Sequence, residues 1–318
     1  MYSEFFVSID WGTSNLRIKL VASSSLLMVE EINSSEGIKK VYNDWRMIGG
    51  DRETHFIKLL QLQLNRFITK IDPLWPIVIS GMASSSIGLR ELPYANLPVQ
   101  LNGESFYVES IESILLPNKI ILIAGAKSDS DVMRGEETQI LGLVSNEDFL
   151  KKTLFILPGT HSKHIITEKG LITDVKTFMT GEIFSSILEH TILKDSLKDG
   201  EFYLNEQIAF CEGVNKAKEG VSLLHSLFAI RTNTLFHKKT PTENYFYLSG
   251  LLIGDEISTV VSLQNHSIQL ATTGKLCELY GKAFEVLDLL PTATIIEKYK
   301  VDSAVLHGQW KIVNNLFK

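Results

Sequence analysis

The fold is decided by the opening stretch FFVSIDWGTSNLRIKLV, residues 5–21. Its first seven residues are mostly apolar strand formers, which is typical of a buried strand. Gly12-Thr13-Ser14-Asn15 supplies turn residues, and the run after it alternates with the period of two of a half-exposed strand. A third strand is predicted at 26–32, after a serine-rich turn. The chain therefore opens with a β-meander rather than with a Rossmann unit.

The same order of elements recurs in the second half, where Gly159 lies 147 positions after Gly12 (159 − 12). An apolar strand at 153–158 leads into the turn Gly159-Thr160-His161-Ser162, and two more extended runs follow. Tight turns of small residues expose several backbone N–H groups together, which creates an anion-binding concavity. Two such turns in matching contexts favour phosphate binding over ordinary hairpin roles. The chain contains neither a GxxxxGK[ST] loop nor a GxGxxG fingerprint.

The rest of the chain predicts a mixture of helices and strands, with helices dominating the second half. Hydrophobic positions at the helical period predict helices at 52–70, 136–144, 182–193, 205–218, 222–237, 243–263, 275–287 and after 301. Short apolar runs predict further strands at 76–80, 98–114, 119–124, 268–272 and 294–296. A polar stretch at 145–152 gives the predicted domain boundary, with one domain at 1–148 and another at 149–318.

Composition narrows the class of protein. The 318 residues carry 31 basic and 37 acidic side chains, a net charge of −6, with 44% hydrophobic residues. This balance is that of a soluble globular protein, and it argues against a dedicated nucleic-acid binder. Two cysteines without metal-ligand spacing fit a reducing compartment. With no apparent signal peptide and no long apolar run, the sequence predicts a cytoplasmic protein without a membrane partner, and it leaves a homo-oligomer open.

Three motifs, in order, resemble those of the actin-like ATPase superfamily. Residues 9–15 are similar to its first phosphate motif, 158–161 to the second, and 270–274 to the adenosine motif. The resemblance is closer still to the 2-dehydro-3-deoxygalactonokinase family. The blocks that carry it are IDWGTSNLR (9–17), SGMASSSIGLRELPY (80–94), VMRGEETQILG (132–142), LPGTHSKH (157–164), FMTGE (178–182) and YLSGLLIGDE (247–256).

The resemblance implies an α/β fold of two ribonuclease H-like (actin-like ATPase) domains, with mixed central sheets flanked by helices and an interdomain cleft. It also implies an ATP- and Mg²⁺-dependent kinase acting on the 6-hydroxyl of 2-dehydro-3-deoxy-D-galactonate, which yields the 6-phosphate and ADP. An epimeric or other small sugar acid, such as 2-dehydro-3-deoxygluconate, is an alternative acceptor. A non-catalytic nucleotide or sugar sensor is an alternative function, because a fold does not fix an activity.

The nucleotide would be bound by the three motifs. Asp10 is predicted to hold Mg²⁺ through water. The residues expected at the nucleotide are Asp10, Gly12, Thr13, Ser14, Asn15, Gly159, Thr160, His161, Thr272, Thr273 and Gly274. The HxxH pair His161 and His164 lacks a third ligand, which excludes a zinc site.

Catalysis needs a group that accepts the hydroxyl proton. Glu136 and Glu137 are the candidates, because related sugar kinases carry an acidic residue about 20 positions before the second phosphate turn. Those related kinases usually have Asp there, so Glu is a departure and the choice between the two remains open. Arg134 is predicted to bind the substrate carboxylate or to neutralise the transferring phosphoryl group, since its planar fork matches either group.

The remaining candidates belong to the sugar acid. Arg17 and Arg90 compete with Arg134 for its carboxylate. A hydroxyl-rich loop after a predicted strand is expected to line the ligand, and the family resemblance adds the MTGE block, whose Thr180 is a predicted helix N-cap. The residues expected at the sugar acid are Arg17, Gly81, Met82, Ser84, Arg90, Thr180 and Glu182.

Overall fold

The computed structural model describes residues 3–145, 149–261 and 266–316. In chain order its strands are β1 (Phe5–Trp11), β2 (Leu16–Ala22), β3 (Met28–Ser34), β4 (Ile77–Gly81), β5 (Ala95–Asn96), β6 (Val99–Gln100), β7 (Val108–Ser113), β8 (Leu116–Ile123), β9 (Ala126–Lys127), β10 (Val132–Met133), β11 (Thr153–Leu157), β12 (Ser162–Glu168), β13 (Leu171–Phe178), β14 (Ser267–Leu270) and β15 (Ala293–Ile295). Its α-helices are α1 (Ile38–Ile48), α2 (Arg52–Leu64), α3 (Glu136–Leu143), α4 (Thr180–His190), α5 (Leu204–Lys218), α6 (Leu223–Leu235), α7 (Pro241–Ser258), α8 (Gly274–Val286) and α9 (Lys298–Leu316).

Both predicted meanders are confirmed. β1 pairs antiparallel with β2, and β2 with β3, while β11, β12 and β13 are neighbours in a second sheet. The helix predicted from 243 is present as α7, which begins at Pro241 because Thr240 and Glu243 form a reciprocal capping box ahead of it.

Some helix boundaries differ from the prediction. α1 was not predicted. α2 ends at Leu64 rather than at 70, because the backbone N–H groups of Ile68 and Thr69 donate to the Glu30 carboxylate at 2.9 Å instead of continuing the helix. α7 ends at Ser258 rather than at 263. Residues 262 and 263 of that predicted helix lie outside the described residues, as do residues 146–148 at the predicted domain boundary.

The first compact unit combines residues 1–150, 167–175 and 299–318. Its main sheet has the order β3-β2-β1-β4-β8-β7, in which β4 is parallel to both β1 and β8. Side chains of this sheet form a fully buried apolar core with α1 and α2, and Ile9, Ile79, Val41 and Leu60 are examples. Because β1 and β4 are parallel with Trp11 opposite Gly81, the segments that follow them begin at the same edge of the sheet.

The C-terminal helix α9 completes this first unit. Gln309 is fully buried, and its Nε2 donates to Ile9 O at 2.8 Å and to Ser80 Oγ at 3.0 Å. Trp310 stacks on Phe6 with ring centroids 5.1 Å apart. The last helix of the chain is therefore anchored to its first strand.

The second compact unit combines residues 151–166 and 176–298. It contains β15, β14 and β11 and most of β12, which belong to the sheet of order β15-β14-β11-β12-β13-β6, and β14 is parallel to β11 and to β15. The core lies against α5, α7 and α8, and includes Phe210, Phe246 and Phe284. With Ile156 opposite Leu270, β11 and β14 end at one edge, so the second Gly-Thr turn and the adenosine motif begin there.

The two sheets share the order of five strands. In each, the first meander strand has its two meander partners on one side and two parallel strands on the other, while the sixth strand differs: β7 follows β8 in the first sheet, and β6 follows β13 in the second. This duplication explains the sequence repeat and confirms the predicted α/β class with mixed sheets flanked by helices. Among the helices described, none is long and apolar enough to cross a membrane.

Candidate active site

In the first unit, the first Gly-Thr turn is closed by a hydrogen bond from Gly12 N to Asn15 O at 2.9 Å. Its carbonyls also accept the first N–H groups of α1: Ile38 N donates to Gly12 O and Lys39 N to Thr13 O. The side chains of Thr13, Ser14 and Asn15 remain exposed. The turn is thus rigid in its backbone and open at its hydroxyl groups, as an anion site requires.

Asp10 lies at the end of β1, directly opposite Arg17 on β2. Arg17 Nη1 is 3.3 Å from Asp10 Oδ2. Burial raises the pKa of Asp10 against the lowering effect of Arg17, and the negative charge of Glu136 raises it further. Asp10 and Glu136 therefore lie within electrostatic range of each other.

These oxygen donors suit Mg²⁺, which keeps several waters and takes only one or two protein carboxylates besides substrate phosphates. The residues described contain no group of three His, Cys, Asp or Glu side chains that could hold a metal by themselves. A cation at Asp10 would also relieve the repulsion from Glu136. The site fits a Mg²⁺ that is shared with phosphate oxygens, and not a metal enclosed by protein ligands alone.

The two candidate bases at the start of α3 occupy different environments. Glu136 is partly exposed, and its Oε2 accepts from Arg134 N at 2.9 Å. Glu137 is 1% exposed, and its two oxygens accept from Gly135 N at 2.9 and 2.8 Å. Burial, together with the charge of Glu136, raises the pKa of Glu137 to about 7. Glu136 is thus partly exposed and within electrostatic range of Asp10, whereas Glu137 is enclosed.

Arg134 lies against the loop that follows β4. Its Nη1 donates to Ser84 O and to Ser84 Oγ, the latter at 2.8 Å, and its guanidinium lies 4.1 Å from the centroid of the Tyr94 ring. Its Nε is buried and has no hydrogen-bond partner within the described ranges. An unpaired donor on a stacked, oriented guanidinium is what an anionic ligand would complete.

Gly81 brings these residues together. It has φ +89°, and a Cβ there would lie 2.8 Å from Trp11 O, so only glycine fits. A Cβ on Gly135 would likewise lie 3.2 Å from the Gly81 Cα. The Arg134 loop therefore packs directly on the end of β4 and beside Asp10.

Two sugar-acid candidates of the first unit have other contacts. Arg90 donates to the Glu53 carboxylate at 2.7–2.9 Å and also to Glu109. Because the Arg90 guanidinium already donates to two carboxylates, few of its N–H groups remain for the carboxylate of a substrate. Met82 begins a single 3₁₀ turn and packs against the apolar core.

In the second unit, the second Gly-Thr turn is clamped by the start of α4. A Cβ on Gly181 would lie 2.5 Å from Gly159 O, and Glu182 N donates to Thr160 O at 2.9 Å. The Glu182 carboxylate is 2.5 Å from His161 Nε2. Thr180 and Glu182, which the family resemblance places at the sugar acid, thus lie beside the residues predicted to bind phosphate.

The predicted N-cap role of Thr180 is wrong. α4 begins at Thr180 itself, after Met179, and no side chain caps it. The Thr180 hydroxyl donates instead to the buried carboxylate of Glu256. Thr180 therefore bonds to Glu256, which is distant in sequence, and does not cap its own helix.

A cavity of about 170 Å³ adjoins the second turn, bounded by Gly159, Thr180 and Gly181 on one side and by Tyr245, Lys275 and Tyr280 on the other. Its other walls are mostly apolar. Pockets that hold a whole drug-sized ligand measure roughly 300–1,000 Å³. This cavity therefore suits one flat ring of a larger ligand.

The adenosine motif leads into this cavity. Thr272 is buried, Thr273 is the N-cap residue of α8, and Gly274, at φ +65°, is the first residue of that helix. Lys275 follows, and its Nζ lies 4.8 Å from the centroid of the Phe246 ring while it donates to Asp199 Oδ1 at 2.7 Å.

Sequence reasoning missed Lys275, Tyr245, Tyr280 and Glu256. Lys275 could have been found, because it directly follows the adenosine motif. Tyr245 and Tyr280 could not, since aromatic residues on helices usually belong to the core. Burial and the neighbouring Asp199 raise the pKa of Tyr245 to about 12, so its hydroxyl remains a donor at neutral pH.

The sequence model of the family described as 2-keto-3-deoxy-galactonokinase matches residues 10–312. The chain belongs to this family. As a member of a kinase family it is an enzyme, a phosphotransferase that uses ATP and a sugar acid. Membership of this family favours a kinase over the alternative of a non-catalytic sensor.

The names of similar proteins agree with this family assignment. A probable 2-dehydro-3-deoxygalactonokinase of Rhizobium meliloti (strain 1021) is 29% identical over 286 residues, which cover 88% of this chain and 89% of the relative. The 2-dehydro-3-deoxygalactonokinase of Escherichia coli (strain K12) is 27% identical over 304 residues, covering 91% and 92%. A solved structure of a Sinorhizobium meliloti protein assigned to the same activity is 27% identical, with a TM-score of 0.80 over 98% of this chain and 97% of that one.

Proposed function

We propose that this enzyme transfers the terminal phosphoryl group of ATP to the 6-hydroxyl of 2-dehydro-3-deoxy-D-galactonate. The family and the names of its relatives support this acceptor. The observation that carries the proposal is the cluster at the ends of β1 and β4, where Asp10, Glu136 and Arg134 combine acid groups with an incompletely paired cation.

Glu136 acts as the base in this proposal. The hydroxyl oxygen of the acceptor attacks the γ-phosphorus, the bond to the bridging oxygen breaks, and ADP leaves with that oxygen. The hydroxyl proton passes to the Glu136 carboxylate. Glu136 suits this role better than Glu137 because it is partly exposed and lies near Asp10, whereas Glu137 is enclosed by its own loop.

Arg134 binds the carboxylate of the sugar acid. Its guanidinium lies against Ser84 in the hydroxyl-rich loop rather than beside Asp10, so it belongs to the acceptor end of the site. The exposed hydroxyls of Thr13 and Ser14 and the backbone of Gly159 and Thr160 are proposed to bind phosphate oxygens.

Asp10 would hold Mg²⁺ through water, and the ion would neutralise charge on the phosphates when bound. In the second unit, the cavity beside Tyr245 and Lys275 would receive the adenine ring. Lys275 lies among aromatic rings and can approach a π-system or a phosphate.

The test is ADP release coupled to a spectrophotometric assay, with 2-dehydro-3-deoxygalactonate and its gluconate epimer compared side by side. We expect Mg²⁺-dependent turnover with a higher kcat/KM for the galactonate compound, and a phosphomonoester at C6 by ³¹P and ¹³C NMR. Turnover no greater than ATP hydrolysis without acceptor would refute the proposed acceptor. A preference for the epimer would reassign the substrate.

A further inference from the structure

The second unit contains a buried carboxylate with an unusual number of donors. Glu256, on α7, is 2% exposed. Its Oε1 accepts from Ser162 Oγ at 2.7 Å and is 2.9 Å from His164 Nε2. Its Oε2 accepts from Tyr280 OH at 2.8 Å and from Thr180 Oγ1. Four groups thus occupy the four acceptor positions of one carboxylate.

This carboxylate is ionised at neutral pH. Burial acts to raise the pKa of Glu256, but the contacts with His164, Thr180 and Ser162 outweigh it, and the pKa is lowered overall. An ionised carboxylate can only accept hydrogen bonds. His164 must therefore present a proton on Nε2, and each of the four partners is held in the orientation of a donor.

The four donors come from three elements that adjoin the second turn, the adenosine motif or the cavity beside them. Ser162 and His164 are the first and third residues of β12, directly after the second Gly-Thr turn. Thr180 opens α4, whose next residue contacts Gly159. Tyr280 projects from α8, which begins in the adenosine motif, and its side chain lines the cavity.

We propose that Glu256 is the positioning residue for nucleotide binding: its carboxylate fixes the second phosphate turn, the start of α4 and the cavity wall of α8 in one geometry. This inference rests on the proposed use of the second turn and its cavity for ATP. Glu256 contacts the second turn at its last residue, Ser162, and it is not among the residues that line the cavity. It acts through Ser162, Thr180 and Tyr280.

A comparison within the same helix separates this role from simple stabilisation. Asn244 on α7 is also fully buried and makes three polar contacts, with Asn233, Thr234 and the carbonyl of Ile230. All the partners of Asn244 lie on α6, which is far in sequence from the second Gly-Thr turn and from the adenosine motif. Losing Asn244 should weaken the fold without changing the nucleotide site, so Asn244→Ala is the matched control.

The experiment measures ADP binding by isothermal titration calorimetry, together with the KM values for ATP and sugar acid, well below the melting temperature of each variant. Glu256→Gln keeps the size of the side chain but turns one acceptor oxygen into a donor facing other donors. We expect Kd for ADP and KM for ATP to rise roughly tenfold or more. We expect KM for the sugar acid to stay within about twofold, and Asn244→Ala to leave Kd for ADP within the same range.

A merely structural role predicts a different pattern. It would lower the active fraction, and with it the apparent kcat, while Kd for ADP stayed the same. Glu256→Gln with wild-type Kd would overturn the inference, as would an equal rise in Kd for Asn244→Ala. If Glu256→Gln does not fold, Ser162→Ala and Tyr280→Phe each remove one donor, and wild-type Kd in both would overturn it equally.

The outcomes also separate this inference from the proposed function. A wild-type enzyme that binds ADP but does not phosphorylate the galactonate compound refutes only the acceptor. A wild-type enzyme that does not bind ADP refutes the use of ATP and the role of Glu256 together. Normal activity with a Glu256→Gln variant of unchanged nucleotide affinity refutes the role of Glu256 alone.

Discussion

At the scale of single residues, Glu136 and Glu137 are neighbours in sequence whose carboxylates meet different surroundings. Glu136 is partly exposed near Asp10, and Glu137 is enclosed. General base catalysis contributes about 10²–10⁴-fold to the rate. We therefore expect Glu136→Gln to lower kcat by roughly that factor with KM for ATP nearly unchanged, measured by steady-state kinetics. A larger loss of kcat in Glu137→Gln than in Glu136→Gln would reverse the assignment.

Glu137 should make stability depend on pH. Its pKa is raised from 4.5 to about 7 by burial and by Glu136, so the folded protein binds a proton more tightly than the unfolded chain does. The stabilisation that this tighter proton binding gives the folded protein is fully present below pH 4.5 and is lost as the pH rises through 7. We therefore expect the loss of the proton on Glu137 to lower the free energy of unfolding by about 3 kcal/mol between pH 4.5 and pH 7.5.

The measurement is urea unfolding of the wild type and of Glu137→Gln across that range. The difference in unfolding free energy between the two should change with pH in favour of the variant as the pH rises. A constant difference would contradict the raised pKa.

At the scale of elements, the contact between α4 and the second turn depends on Gly181. A Cβ at 181 would approach Gly159 O to 2.5 Å, so Gly181→Ala forces the turn and the helix apart. Overpacking of this kind costs typically 1–3 kcal/mol, and here it should also raise KM for ATP. Thermal unfolding and kinetics measure the two effects.

Gly281 on α8 is the matched control for this substitution. A Cβ there meets only Ile295 Cδ1 at an ordinary 3.5 Å. Alanine is favoured over glycine in helices by about 1 kcal/mol, so Gly281→Ala should be neutral or stabilising. Equal losses in both variants would show that the turn contact has no special role.

Local chemistry made some elements predictable from the sequence and not others. The two Gly-Thr turns and the helix that starts near Glu243 are encoded within a few residues, and these were predicted. α1 was missed because it starts after Gly37, which offers no side-chain cap, although Ile38, Val41 and Trp45 follow the helical period.

Contacts distant in sequence could not be predicted. Thr180 and Glu256 are 76 residues apart, and Ser162 and Glu256 are 94 apart. Arg90 likewise finds Glu53 and Glu109 only through the tertiary fold. No spacing rule distinguishes such partners from exposed residues of the same type, so the chemistry of the candidate residues was predictable while their pairing was not.

At the scale of the whole molecule, the first unit is assembled from distant parts of the chain. Gln309 on α9 holds Ile9 O on β1 and Ser80 Oγ on β4. Gln309→Ala leaves these buried groups unpaired and opens a cavity. We expect a loss of roughly 2–4 kcal/mol in unfolding free energy, measured by chemical denaturation. A loss below about 0.5 kcal/mol, the usual effect of a surface substitution, would contradict this anchoring role.

This anchoring has a consequence for biosynthesis. Ribosomes make chains from the N-terminus at about 5–20 residues per second, so β1 emerges first while α9 emerges some 300 positions later. The second unit, residues 151–166 and 176–298, is fully translated before α9 is. During that interval the Phe6 ring lacks Trp310 and the backbone carbonyl of Ile9 lacks Gln309. Until α9 is translated, the nascent chain therefore exposes an apolar surface that chaperones can bind.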